Sequence, residues 1–166
     1  MPVAPQVLPV EVRGEVRVQV PAGVPVETAW RAYTEPALRR RWFRLPGRLE
    51  HEDVDVREGG HHLLRGAFVL DDRTEHLDGR ARFLELAAPQ RVVWTYEVRV
   101  DDVLRSVALC STSFVASAGT ELVHEEQFTV FGADDAAAAA GAAERRGGVR
   151  LQLNGWRGVA LAAARG

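Results

Sequence analysis

Val10 to Val20 alternates almost without interruption, with Val10, Val12, Val16, Val18 and Val20 on one face and Glu11, Arg13, Glu15, Arg17 and Gln19 on the other. That is the pattern of a half-buried strand. Pro21 and Pro25 end it, and Val26, Ala29, Trp30 and Tyr33 then recur at helical spacing. Thr34, Glu35 and Pro36 suit the start of a second short helix, predicted over Pro36 to Trp42, before a loop that contains Pro46 and Gly47. Alternation resumes over His51 to Arg57, turns at Gly59-Gly60, and continues over His61 to Leu70 and Glu75 to Leu86, where Gly79 marks an expected bulge. From Arg91 to Phe131 three β-patterned runs follow, divided by Asp101-Asp102 and by Ala118-Gly119. The pattern predicts six or seven strands in an antiparallel meander.

Beyond Phe131 the pattern changes. Gly132 to Gly148 is rich in alanine, glycine and charge and reads either as helix or as linker. Val149, Leu153, Trp156, Ala160 and Ala163 then lie at helical spacing and predict a C-terminal helix over Val149 to Ala164 with one apolar stripe. Gly155 and Gly158 each weaken that helix by about 1 kcal/mol relative to alanine, so its stripe must be held by the sheet. The predicted class is α+β, a curved antiparallel sheet with two short helices wrapped around a long C-terminal helix.

Composition narrows the function. The 166 residues, 46% hydrophobic, suit one domain over residues 10–166 behind an N-terminal tail of residues 1–9. All twenty-one Lys+Arg residues are arginine, a bias consistent with the GC-rich coding of a bacterial genome, and the missing lysine closes Schiff-base and phosphate-loop chemistry. A formal net charge of -2 with interleaved signs provides no positive field for nucleic acid. No apolar run reaches membrane-spanning length and no secretory leader is recognisable, so no membrane partner and a cytoplasmic location are expected. Cys110, the single cysteine, sits in an apolar strand pattern and reads as a buried, inert thiol.

The candidate chemistry follows from the two strand faces. If Leu122 points inward, so do His124 and Glu126, which would then form a buried acid-base pair or a ligand anchor; the alternative is an exposed strand end. Trp94 and Tyr96 share a face that serves either as a cavity wall or as core. Arg65 shares a face with His61 and Leu63; inward, it could hold a ligand carboxylate, and outward it would pair with a neighbouring acid. Trp42 and Trp156 fall on helical elements, Trp42 near the expected mouth between short and long helices. His61 and His62 point to opposite faces, and His76 with Asp78 lacks a third ligand, so no metal site is expected. No GxSxG, GxGxxG, HExxH or paired-cysteine motif occurs, and no cofactor is implied.

Val20-Pro21-Ala22 leading into Val26-Glu27-Thr28-Ala29-Trp30, then Thr34-Glu35-Pro36 and Trp42, Gly59-Gly60, Gly79, the block Pro89 to Tyr96, Gly119 to Leu122 and Glu126-Gln127 together resemble the SRPBCC or START-like superfamily. Within it the chain is most similar to homologues of the C-terminal domain of the heat-shock protein 90 ATPase activator. The resemblance spans Val10 to Leu161 and implies a helix-grip fold. It implies a protein that encloses a hydrophobic or aromatic small molecule between sheet and C-terminal helix, contacted by Trp42, Arg65, Trp94, Tyr96 and Trp156. A second implied reading is a polyketide cyclase-like enzyme, a cyclase, dehydratase or hydrolase acting without metal or organic cofactor through His124 and Glu126. A third is a chaperone-associated interaction module, although the chain has no room for the extra N-terminal domain of the eukaryotic co-chaperone. The edge strand Val10 to Val20 leaves a homodimer open as a further partner.

Overall fold

A computed structural model describes residues 8–166. The tail expected over residues 1–9 therefore lies, through residue 7, outside the described residues. Seven antiparallel strands form one sheet: β1 (Val10–Pro21), β2 (Arg48–Asp55), β3 (His61–Val69), β4 (Thr74–Ala87), β5 (Arg91–Val100), β6 (Val103–Ser117) and β7 (Gly119–Gly132). Helices α1 (Val26–Thr34) and α2 (Pro36–Arg39) connect β1 to β2, and α3 (Asp135–Ala163) closes the chain. The spatial order is β1-β7-β6-β5-β4-β3-β2, so β2 to β7 make the meander and β1 joins its far edge. This is the expected helix-grip arrangement.

The alternation of side chains decides the faces. Val16, Val18 and Val20 of β1 and Leu122, Phe128 and Val130 of β7 are buried on the face that meets α3, while Arg17 and Glu125 pair at 2.9 Å on the other. The β5–β6 hairpin turns on Asp101 and Asp102, both with positive φ, as a two-residue turn matched to strand twist requires.

Three local expectations are corrected. The second helix ends at Arg39, and the chain continues through a turn to Trp42. The C-terminal helix begins fourteen residues earlier than its apolar stripe suggested, at Asp135 instead of Val149, because the alanine run is itself helical and Asp134 caps it by accepting from the Ala137 backbone N–H at 2.8 Å. Gly79 is not a bulge: the register shift in the β4–β5 pair lies between Phe83 and Glu85. A Cβ at Gly79 would stand 2.7 Å from the Tyr96 hydroxyl, so the glycine makes room for that ring.

The two halves of α3 are held unequally. Its first half buries Ala138 and Ala142, whereas Val149, Leu153, Trp156, Val159 and Ala160 are buried in its second half. Apolar area removed from water is thus concentrated after Gly148.

Candidate functional site

Cross-strand register brings the inward polar side chains together. Cys110 of β6 lies opposite Glu126 of β7, Thr112 opposite His124, and Trp94 of β5 opposite Cys110. His124 and Glu126 are both buried, with Leu122 and Phe128 on the same face. A continuous chain of hydrogen bonds runs through them. Tyr33 Oη is 2.8 Å from Thr112 Oγ1, which is 2.8 Å from His124 Nδ1, and His124 Nε2 is 3.3 Å from Glu126 Oε2. Arg145 of α3 then grips Glu126 with both arms of its guanidinium, Nε to Oε1 at 2.6 Å and Nη2 to Oε2 at 2.7 Å. The chain ties α1, the sheet and α3 to one another.

Burial would raise the Glu126 carboxyl, but the hydrogen bonds from His124 and Arg145, with the Arg145 charge, outweigh it and hold the group at about 2. An ionised Glu126 can only accept, so His124 Nε2 carries the hydrogen in that bond. Burial, reinforced by Glu126, pushes the Cys110 thiol well up, in keeping with an inert sulfur. Burial also raises Tyr33 and Tyr96 to about 12. Cys110, His124 and Glu126 place ligand-type atoms within 4.8 Å of one another, but the Arg145 guanidinium already neutralises the only carboxylate of the three.

A second buried group adjoins the first. Arg39 is fully buried and its guanidinium carbon lies 4.5–5.3 Å from the ring centres of Tyr33, Trp42, Phe43, Phe83 and Trp94. It donates from Nε to His62 Nδ1 at 3.1 Å and from Nη1 to the Tyr33 carbonyl at 3.0 Å. Because arginine cannot accept, His62 Nδ1 must, and Nε2–H then donates to Glu52 Oε1 at 2.8 Å. Burial first and then the Arg39 charge hold His62 down at about 2, so the ring is neutral. Among the described residues Arg39 itself has no carboxylate partner. Its Nη2 and the Trp94 Nε1 are the two buried side-chain polar atoms, among the described residues, without a hydrogen-bond partner.

Between these groups and α3 lies a cavity of about 10 Å³, bounded by Tyr33, Trp42, Phe43, Trp94, His124 and Arg145 among others. That is room for about one water. A much larger depression, about 1150 Å³, crosses the outer face of the sheet along His61, Leu63, Arg82, Leu109 and Thr129. It is a broad surface trough, and neighbouring charges such as Asp78 with Arg80 pair locally along it. We take the small inner cavity as the candidate site because the buried Glu126–Arg145 pair, His124 and Trp94 border it, with Arg39 packed behind its aromatic wall.

The expected site residues divide accordingly. Trp42, Trp94, His124 and Glu126 border the inner cavity. Tyr96 faces inward beside Trp94, with its ring 5.0 Å from the Arg145 guanidinium carbon. Trp42 is buried, its Nε1 donating to the Ala32 carbonyl at 2.9 Å, so it walls the cavity instead of standing at an open mouth. Trp156 is core: fully buried, against Phe114, with Nε1 3.3 Å from the Ala29 carbonyl. Arg65 points outward, 3.5 Å from Asp78, because His62 and Leu64 take the inner positions of β3. Arg39 and Arg145 were not found from sequence. Arg39 lies in an Arg-Arg-Arg run that reads as solvated surface, and Arg145 lies in the alanine-rich segment; neither carries a local signal of burial.

The comparisons with known proteins agree with this architecture. Residues 23–156 match the family described as activator of Hsp90 ATPase homolog 1-like protein. No curated protein matches the chain. An uncharacterised protein from Rhizobium leguminosarum superposes with a TM-score of 0.78 at 21% identity, covering 93% of this chain and 98% of its own. A protein from Rhizobium loti superposes at 0.75 with 22% identity, covering 90% and 99%. A protein of unknown function from Staphylococcus aureus gives 0.69 at 15% identity, covering 94% and 98%. At these identities the superpositions speak for the fold alone. With its helix-grip fold and a family match that covers most of its length, the chain belongs to the activator of Hsp90 ATPase homolog 1-like family.

Proposed function

We propose that the protein binds a small hydrophobic or aromatic molecule between the inner face of the sheet and α3. The observation that supports this reading is the concentration of polar side chains where packing alone calls for none: Thr112, His124, Glu126 and Arg145 form a connected chain inside an aromatic core. The present cavity admits one water, so ligand entry requires the part of α3 that covers it, Arg145, Val149, Gln152 and Leu153, to move away from the sheet. That movement breaks the Arg145–Glu126 ion pair and exposes Val149 and Leu153, both buried against the sheet. Titration with a panel of lipids, aromatic polyketides and apolar metabolites is expected to change tryptophan fluorescence saturably, since Trp42 and Trp94 wall the cavity. No fluorescence change and no rise in melting temperature across the panel would overturn the reading.

The inward placement of His124 and Glu126 favours one second reading, acid-base catalysis on the bound molecule. Glu126, held at about 2, orients His124 and does not itself exchange protons near neutrality. The sequence hydroxyl, imidazole, carboxylate from Thr112 to Glu126 has the order of a nucleophile relay, but Thr112 does not border the cavity, which leaves His124 as the exchanging group. If a bound polyketide is converted, His124→Gln should abolish turnover while binding persists; unchanged turnover would remove the role.

A further inference from the structure

Among the described residues Glu126 is the only fully buried carboxylate, and Arg145 already holds both of its oxygens. Arg39 is therefore a buried cation with no anion in contact. The acid linked to it by hydrogen bonds, Glu52, is reached only through the neutral His62 ring and also lies 3.4 Å from Arg40. Four of the five rings around Arg39, those of Tyr33, Trp42, Phe43 and Trp94, also wall the inner cavity. Trp94, whose Nε1 is unpartnered, borders the cavity, while Arg39 with its unpartnered Nη2 does not border it and lies behind those rings. Both are donors without an acceptor at full hydrogen-bond geometry, and the Tyr33 hydroxyl is the protein oxygen that interacts with each. A buried guanidinium that lacks a counter-ion, beside a second idle donor, is a receptor for negative charge.

Resting on the ligand-binding reading above, we infer that the ligand is an organic acid: an apolar or aromatic body carrying a carboxylate, whose oxygens are received by Arg39 Nη2 and Trp94 Nε1. The rings around Arg39 exclude water from this contact and so strengthen it. They also set the chemistry of the body, which must pack against aromatic faces.

The test compares 1-naphthoate with the neutral 1-naphthamide, and decanoate with decan-1-ol, by isothermal titration calorimetry near neutral pH. The acid of each pair should bind at least about tenfold tighter, the share of one charge-assisted hydrogen bond. Arg39→Met should reduce the preference to about twofold or less. Trp94→Phe keeps one aromatic ring while removing the donor and the second ring; it should weaken the acids more than their neutral twins and so narrow the preference, so the test survives if Arg39→Met fails to fold. Equal binding of acid and neutral twin by the wild type would overturn the anion assignment and leave the ligand-binding reading standing. A preference that persists in both variants would also overturn it. Absence of binding by all four compounds would overturn the assignment, while the broader panel decides the reading beneath it.

Discussion

Glu126→Gln is expected to lower the free energy of unfolding by about 3–5 kcal/mol, the usual cost of removing one partner from a buried ion pair. The variant leaves Arg145 charged against the sheet with its side chain only 12% exposed, and weakens the acceptor for His124. Urea unfolding near pH 7 measures the loss. The double variant Glu126→Gln with Arg145→Met should recover much of it, because no uncompensated charge remains. A loss below about 1 kcal/mol for the single variant would show that Arg145 swings into solvent without cost.

The same pair fixes the acid limb of stability. The folded Glu126 carboxyl sits at about 2 against an ordinary value of 4.5. Its folded pKa is depressed, so its contribution is complete above the unfolded value and is lost as pH falls from about 5 through 2. The shift is equivalent to about 3 kcal/mol. Wild type should therefore lose about that much more than Glu126→Gln between pH 5 and 2. Parallel acid limbs for the two proteins would contradict this account.

Trp156→Ala is the second large effect, expected at about 3–5 kcal/mol. The indole is fully buried, packs at 6.1 Å between ring centres against Phe114, and lies under α1 through its contact with the Ala29 carbonyl. It anchors the half of α3 that carries most of the buried apolar surface. Trp156→Phe should recover most of the loss, since it retains a ring and gives up one hydrogen bond of 3.3 Å. Thermal or urea unfolding of the three proteins decides between packing and ligand contact. Unaltered stability in Trp156→Ala, with altered ligand affinity, would return Trp156 to the binding residues.

Strand faces were legible because side-chain direction in a strand has a period of two. Once Leu122 is inward, His124, Glu126 and Phe128 must follow, and they do. The same rule left Arg65 with two outcomes, and the burial of His62 and Leu64 selected the outer one. Helix limits were less legible. Alanine repeats have no amphipathic stripe, so the start of α3 was set by Asp134 and by contact of small residues with the sheet.

By itself the sequence determined the alternating strands, their turns, the placement of His124 and Glu126 on one strand face with Leu122 and the stripe of the C-terminal helix, since all of these are relations between residues near in the chain. Only the tertiary structure decided that β1 closes on β7, that the interior leaves space for one water, and that Arg39 and Arg145 are buried. Those facts depend on residues far apart in sequence. Arg39 meets His62 across 23 residues and Glu126 meets Arg145 across 19. A buried charge is recognisable only when the groups that surround it are known, and local pattern contains no record of them.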